Sequence, residues 1–106
     1  MIWEDQKTHS ENGVGMAKKT RSIIIGDKEY FKYLIVWEDI VGDSTITDYS
    51  EFSKMSVATI NTEAYIFKKN DKYVYSFASY QNDNGEVSFG DRNVYPRSVI
   101  KKMIRI

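Results

Sequence analysis

The sequence has 106 residues, with 15 acidic and 15 basic side chains and no cysteine. This length predicts a single domain. The balanced charge argues against a protein whose whole surface is built for nucleic acid. Without cysteine, disulfides and thiolate metal sites are excluded, and a reducing, intracellular setting is expected. No apolar run is long enough to cross a bilayer, so no membrane association is expected.

The first part of the chain, residues 1–16, is polar and has neither a helix nor a strand period. It predicts a disordered leader, and residues 17–106 are expected to form one β-barrel-like domain. The only histidine, His9, lies in this leader. Because histidine chemistry then has no candidate inside the fold, and no nucleophile or zinc motif is present, the sequence predicts that the protein is not an enzyme.

Two hairpins are predicted in the central part of the chain. Residues 21–25 and 28–39 are rich in β-branched and aromatic side chains and flank the turn pair Gly26–Asp27. Apolar residues at both parities of 28–39 predict a strand that is buried on both faces or one that curves through a barrel. Residues 57–69 and 72–81 flank Asn70–Asp71 in the same way and predict the second hairpin.

Between the hairpins, residues 40–56 break the strand pattern with Gly42, Asp43 and many hydroxyls. They predict a long loop with one short helical turn, for which Asp48 or Ser50 is the expected N-cap. After the second hairpin, the turn residues 82–85 lead into a further short strand.

The C-terminal residues 94–106 contain the only proline. Pro96 suits the first turn of a helix, which predicts a 3₁₀ turn followed by a last strand. A helical turn before the last of five or six antiparallel strands is the layout of a small SH3-like barrel. The alternative is an open α+β sheet with the helix of residues 49–56 on one face.

Strand alternation makes a further prediction for the end of the chain. It places Ile104 and Ile106 inside the barrel and leaves Met103 pointing outward among cations. Such a final edge strand would be a natural contact for another subunit or for a ligand, and a homo-oligomer is expected.

Charge is distributed unevenly along the chain. Residues 36–53 contain five acids and no lysine or arginine, whereas residues 86–106 contain two acids and five bases. These regions can pair within one chain, pair between subunits or bind different ligands. The acids do not match a calcium-binding loop, so no metal site is predicted.

The candidate ligand-binding residues are Trp37, Asp39, Arg92, Tyr95 and Arg97. Two guanidiniums can hold a phosphate while an aromatic ring stacks on a base and a carboxylate reads a base edge. The alternative is that the arginines form exposed ion pairs with the acids of residues 38–51, and that the aromatic residues belong to the core.

The segments "VWED", "TEAYIF", "KYVYSFASY" and "VYPRSVIKKMIRI" resemble a family of small β-rich bacteriophage proteins. The resemblance covers Leu34 to Ile106. Trp37 and Asp39 match a Trp-x-Asp motif at the end of a strand. The C-terminal motif, in which Ile-Pro-Lys/Arg precedes isoleucines spaced around basic residues, is matched by Pro96, Arg97, Ile100 and Ile104, with Tyr95 in place of the usual isoleucine.

This resemblance implies a phage accessory protein in the cytoplasm of an infected bacterium. Such proteins include counter-defence factors, some of which sequester cyclic nucleotide signals, often as homo-oligomers. The leading expectation is a non-enzymatic protein that sequesters a small phosphate-bearing ligand such as a cyclic oligonucleotide and needs no cofactor. One alternative is a protein–protein inhibitor of a host enzyme or defence complex that acts through the acidic loop. The other is a small barrel that binds nucleic acid directly.

Overall fold

A computed structural model describes residues 5–7 and 21–106, and this part of the chain is mainly β. Its strands are β1 (Asp5–Lys7), β2 (Ser22–Ile25), β3 (Lys28–Asp39), β4 (Ala58–Lys69), β5 (Tyr73–Phe77), β6 (Ser79–Asp83), β7 (Glu86–Gly90), β8 (Asn93–Pro96) and β9 (Ile100–Arg105). A short helix α1 (Tyr49–Ser53) interrupts the connection from β3 to β4, and a 3₁₀ turn (Arg97–Val99) precedes β9. The predicted mainly β fold with a helical turn before the last strand is confirmed.

The main sheet has the strand order β1-β9-β3-β4-β5-β8, and β2 pairs with the first half of β3. All of its pairs are antiparallel except β1 with β9. Strands β6 and β7 form a separate hairpin. Within the described residues the sheet does not close into a barrel, so the open-sheet alternative fits as well. However, α1 has no buried residue and does not cover a sheet face as that alternative expected.

Strand β9 has neighbours on both sides, β3 on one and β1 on the other. The expectation that the last strand is a free edge, open to another subunit, is therefore wrong. The predicted leader, residues 1–16, lies outside the described residues except for β1.

A β-bulge changes the parity of β9. Trp37 is paired with Ile100, but the preceding residue Val36 is paired with Lys102. Lys101 is therefore the extra residue, and side chains before and after it lose the simple alternation of a regular strand.

The bulge decides which residues of β9 enter the core. Ile100 and Met103 are three positions apart, and both have no exposed surface. Ile104 and Ile106 are only half-buried. The prediction that Met103 points outward was wrong because it assumed unbroken alternation.

Both faces of the sheet carry an apolar cluster. The first consists of Tyr33, Ile35, Val74, Tyr95, Ile100 and Met103. The second consists of Ile25, Tyr30 and Phe77, with Ile23, Tyr65, Val87 and Phe89 packed against them. Strand β3 contributes to both clusters, as its apolar residues at both parities predict.

The predicted turns are found, but one predicted strand is divided. Gly26 in the β2–β3 turn has a φ of 67°, and Asn84 and Gly85 in the β6–β7 turn have φ values of 54° and 89°. These positive angles are typical of tight hairpin turns, in which glycine and asparagine are favoured. The predicted strand 72–81 is two strands, because the chain leaves the main sheet at Ala78 and continues as β6.

We expect Met103→Ala to lower the free energy of unfolding by about 2–5 kcal/mol, because it leaves a cavity in a fully buried site. Ile104→Ala is the matched control, since the same strand holds that side chain half-exposed. Chemical denaturation of both variants checks the bulge, and an equal or larger loss for Ile104→Ala would contradict it.

The hydroxyl of Tyr95 is buried, and it has no hydrogen-bond partner among the described residues. Tyr95→Phe should therefore leave the free energy of unfolding unchanged or raise it by up to about 1 kcal/mol, since an unpaired polar group is removed. Tyr95→Ala should lower it by about 3–5 kcal/mol through loss of the ring. Thermal and chemical unfolding distinguish these outcomes, and a large loss for Tyr95→Phe would show that the hydroxyl has a partner.

Candidate functional site

The structure brings Trp37 and Tyr95 together, but inside the first apolar cluster. Their rings are 5.3 Å apart in an edge-to-face arrangement, and Tyr95 is only 4% exposed. The indole Nε1 of Trp37 donates a hydrogen bond to Thr62 Oγ1 at 3.1 Å. Both aromatic residues are thus used for packing, which is the alternative that the sequence left open for them.

Asp39 and Arg92 are both exposed, unlike Tyr95. Asp39 ends β3, and its Oδ1 accepts a hydrogen bond from the backbone N–H of Ile40 at 2.9 Å. Arg92 lies in the short connection between β7 and β8 and lines a cleft. The predicted residues thus lie in different surroundings, and their joint role in binding a ligand stays a prediction.

Arg97 belongs to a different group of side chains. Its backbone N–H donates to the carbonyl of Lys72 at 2.9 Å, which fixes the 3₁₀ turn against the β4–β5 turn. Lys69, at the end of β4, and Arg105, at the end of β9, lie close enough that the charges of Arg97 and Arg105 influence Lys69. We call Lys69, Arg97 and Arg105 the cation cluster.

Two aromatic residues of β3 support the cation cluster. The guanidinium carbon of Arg105 is 4.3 Å from the ring centroid of Phe31 and 5.6 Å from that of Tyr33. Arg105 also donates from Nε and Nη2 to the Tyr33 hydroxyl, at 3.3 and 3.2 Å. Lys69 Nζ is 5.9 Å from the centroid of the Tyr33 ring. Stacking and hydrogen bonding thus hold the Arg105 guanidinium in one orientation.

The electrostatics of the cluster are visible at Lys69. Partial burial lowers the pKa of its ammonium group below the ordinary value, and the positive charges of Arg97 and Arg105 lower it further. A negatively charged group placed near these side chains would interact favourably with all three positive charges.

Only Arg97 of this cluster was among the predicted site residues. Lys69 and Arg105 come from strand ends that are 36 positions apart in the sequence, and Tyr33 meets Arg105 through the β3–β9 register. The β3–β9 register cannot be read from the positions of the cations in the sequence. No local sequence signal therefore marks Lys69 and Arg105 as neighbours.

A cleft of about 700 Å³ lies on the other face of β5 and β8, where the β6–β7 hairpin leaves the sheet. Its walls are mainly apolar, and it is lined by Phe67, Tyr75, Ser76, Phe77, Ser88, Phe89, Arg92, Asn93 and Val94. Lys68 stands beside it, with its Nζ 4.8 Å from the ring centroid of Tyr75. We call this feature the apolar cleft; its size is within the range of ligand-binding pockets.

The connection between β3 and β4, residues 40–57, is exposed throughout, and we call it the arm. Ile46 is 100% exposed, Tyr49 87% and Phe52 67%. The arm surrounds an open hollow of about 660 Å³ instead of packing on the sheet. Large apolar side chains without cover in a small protein indicate an interaction surface.

Local hydrogen bonds give the arm its shape. Asp48 is the N-cap of α1, as predicted, and its Oδ1 accepts from the backbone N–H of Glu51 at 2.8 Å. Asp43 Oδ1 accepts from the backbone N–H and the hydroxyl of Thr45, at 2.9 and 2.7 Å. These two hydrogen bonds lower the pKa of the Asp43 carboxyl.

The charged regions meet at the base of the arm. Glu38 and Lys101 form an ion pair of 3.6 Å between β3 and the bulge of β9. Farther out, Glu51 is 3.4 Å from Lys54, which is itself part of the arm. Of the acids in residues 36–53, Glu38 thus pairs with the basic end of the chain and Glu51 pairs within the arm.

Residues 5–7 and 21–106 lack the features of two other classes of site. No three histidine, cysteine, aspartate or glutamate side chains in this part are grouped so that they could hold a metal ion. None of its helices is long and apolar enough to cross a membrane.

Comparison with family models, curated proteins and solved structures gave no match for this chain. The resemblance to small phage proteins therefore stays a prediction from the sequence motifs. The cation cluster, the apolar cleft and the arm are the features of the described residues that could serve a function.

Proposed function

We propose that the protein is a non-enzymatic phage accessory protein that binds and sequesters a small phosphate-bearing ligand, such as a cyclic oligonucleotide. The observation that carries this proposal is the approach of Lys69 and Arg105 to the ring of Tyr33, with Arg97 close enough for its charge to act on Lys69. The proposed site keeps Arg97 from the predicted set and replaces the other four residues.

The chemistry of the cation cluster favours phosphate. Guanidinium groups present parallel N–H donors that match two phosphate oxygens, and a lysine adds a compact positive charge. An ordered guanidinium loses little freedom when it binds, and Arg105 is ordered by its contacts with Phe31 and Tyr33. A ligand with more than one phosphate would engage cations from three different strand ends at once.

The alternative of a protein–protein inhibitor uses a different surface, the arm. The experiment on the arm described below tests that surface separately. Direct binding to nucleic acid would also involve cations, but it predicts affinity for long DNA or RNA that falls steeply with salt concentration.

Isothermal titration with a panel of cyclic dinucleotides, cyclic trinucleotides, linear nucleotides and inorganic phosphate tests the proposal. We expect heat with at least one cyclic nucleotide, and a loss of affinity of about tenfold or more in Lys69→Met, since a charge-assisted contact is removed. Lys102→Met, which removes an exposed cation of β9, is the matched control and should bind as the original chain does. No heat with any member of the panel would overturn the proposal.

Ligand binding should also be visible in the titration of Lys69. The pKa of this group is lowered in the free protein. A bound phosphate stabilises the protonated ammonium, so the pKa of Lys69 should be higher in the complex than in the free protein. The affinity for the ligand should therefore fall as the pH rises from the lower of these two pKa values to the higher one. NMR of the lysine side chain, with and without the cyclic nucleotide that binds, measures this shift. An unchanged Lys69 pKa in the complex would place the ligand elsewhere.

A further inference from the structure

The arm carries apolar side chains that no described residue of its own chain covers. Ile46, Tyr49 and Phe52 are largely exposed, and α1 contributes no buried residue. The arm is also acidic on balance, with three acids (Asp43, Asp48 and Glu51) and one base (Lys54) in residues 40–57. A surface that accepts the arm must therefore be apolar and positively charged.

The apolar cleft has those properties. Its lining includes Phe67, Phe89 and Val94, of which Phe67 is 40% and Val94 54% exposed. Arg92 lines the cleft, and Lys68 stands beside it on the ring of Tyr75. Shape, apolar surface and charge thus make the cleft complementary to the arm.

The arm does not contact the cleft of its own chain. The cleft is lined by residues of β4, β5, β7 and β8 and of the connection that follows β7. None of these residues belongs to the arm, and the arm is exposed throughout. Within the described part of one chain, both surfaces are therefore open to a second molecule.

We infer that the arm of one chain docks in the apolar cleft of a second copy, and that the reciprocal contact closes a two-fold dimer. A two-fold axis places each arm on the partner's cleft, so both exposed surfaces are covered by a single symmetry operation. Ile46 and Phe52 enter the cleft, and the carboxylates of Asp43 and Glu51 approach Lys68 and Arg92 of the other copy. The contact does not involve the cation cluster and does not depend on the proposed ligand.

Light scattering during size-exclusion chromatography tests the dimer with the full chain. We expect twice the chain mass, with dissociation on dilution. Ile46→Asp combined with Phe52→Asp should weaken the dimer by at least about tenfold, since central apolar anchors carry most of an interface's free energy. Ile24→Asp is the matched control, because Ile24 is 70% exposed but lies on β2, away from the arm and the cleft. It should leave the mass unchanged.

A mixing experiment tests the reciprocal arrangement. The double arm variant keeps an intact cleft, and Arg92→Glu keeps an intact arm. At a concentration at which neither variant dimerises alone, their mixture should form a heterodimer, because one arm–cleft contact is native in it. Unchanged thermal unfolding of each variant shows that the fold is retained, as expected for substitutions at exposed positions.

Three results would overturn the inference. The original chain could remain monomeric across the dilution series, or the arm variants could leave a dimer unaffected. A monomer whose arm captures one stoichiometric protein from a bacterial lysate would assign the arm to a host protein instead. Failure of cyclic nucleotides to bind would bear only on the cation cluster and would leave the dimer standing.

Discussion

The fold depends on the hydrogen bonding of β3, which has partner strands on both of its sides. Strand β4 lies along one side, whereas β9 and β2 share the other. Strands β2 and β9 meet beside Lys32 of β3. The Lys32 N–H donates to the carbonyl of Arg21, and the Lys32 carbonyl accepts from the N–H of Ile106. The N–H of Arg21 in turn donates to the carbonyl of Ile106. This closed set of bonds joins the start of β2 to the end of the chain. It also fixes Phe31 and Tyr33, on which the cation cluster rests.

The arm is the part of the described chain that this arrangement leaves out. It begins where β3 ends and finishes where β4 begins, and Asp39 is paired directly with Ala58 at its base. Burial of apolar surface is worth roughly 25 cal/mol per Å², so the exposed side chains of the arm give up a stabilisation that the sheet could have provided. Removing the arm would cost the sheet little for the same reason. Its exposed apolar side chains therefore point to a role in binding and not in folding.

The sequence predicted the features whose causes are local. Gly26, Asn70 and the turn before Glu86 specify hairpins through backbone preferences, Asp48 caps a helix and Pro96 starts a 3₁₀ turn. The missed features depend on pairing between distant strands. The bulge at Lys101 arises from the register between β3 and β9. Because of it, Met103 points into the core and not outward as unbroken alternation predicts. The break at Ala78 divides residues 72–81, in which no glycine or proline marks the end of a strand.

The cation cluster could be predicted from the sequence less well than the fold, because it too depends on pairing between distant strands. The sequence places Arg92, Tyr95 and Arg97 close together. However, side chains alternate between the two faces of β8, and the strand ends at Pro96. Tyr95 enters the first apolar cluster, Arg92 faces the cleft, and Arg97 begins the next turn. The cation cluster instead assembles from the ends of β4 and β9, where charged side chains gather because no further strand residues need to be buried.

Side chains alternate between the two faces of β5 and β8, which separates the apolar cleft from the cation cluster. Val74 and Tyr95 face the first apolar cluster, whereas their neighbours Tyr75 and Val94 line the apolar cleft. A subunit contact on the cleft and a ligand on the cation cluster would thus lie on opposite sides of the same two strands. Pro96 then leads directly from β8 into the turn that contains Arg97. A shift of β8 caused by a docked arm would therefore move one cation of the cluster, so the ligand affinity of a dimer should differ from that of the monomeric arm variant.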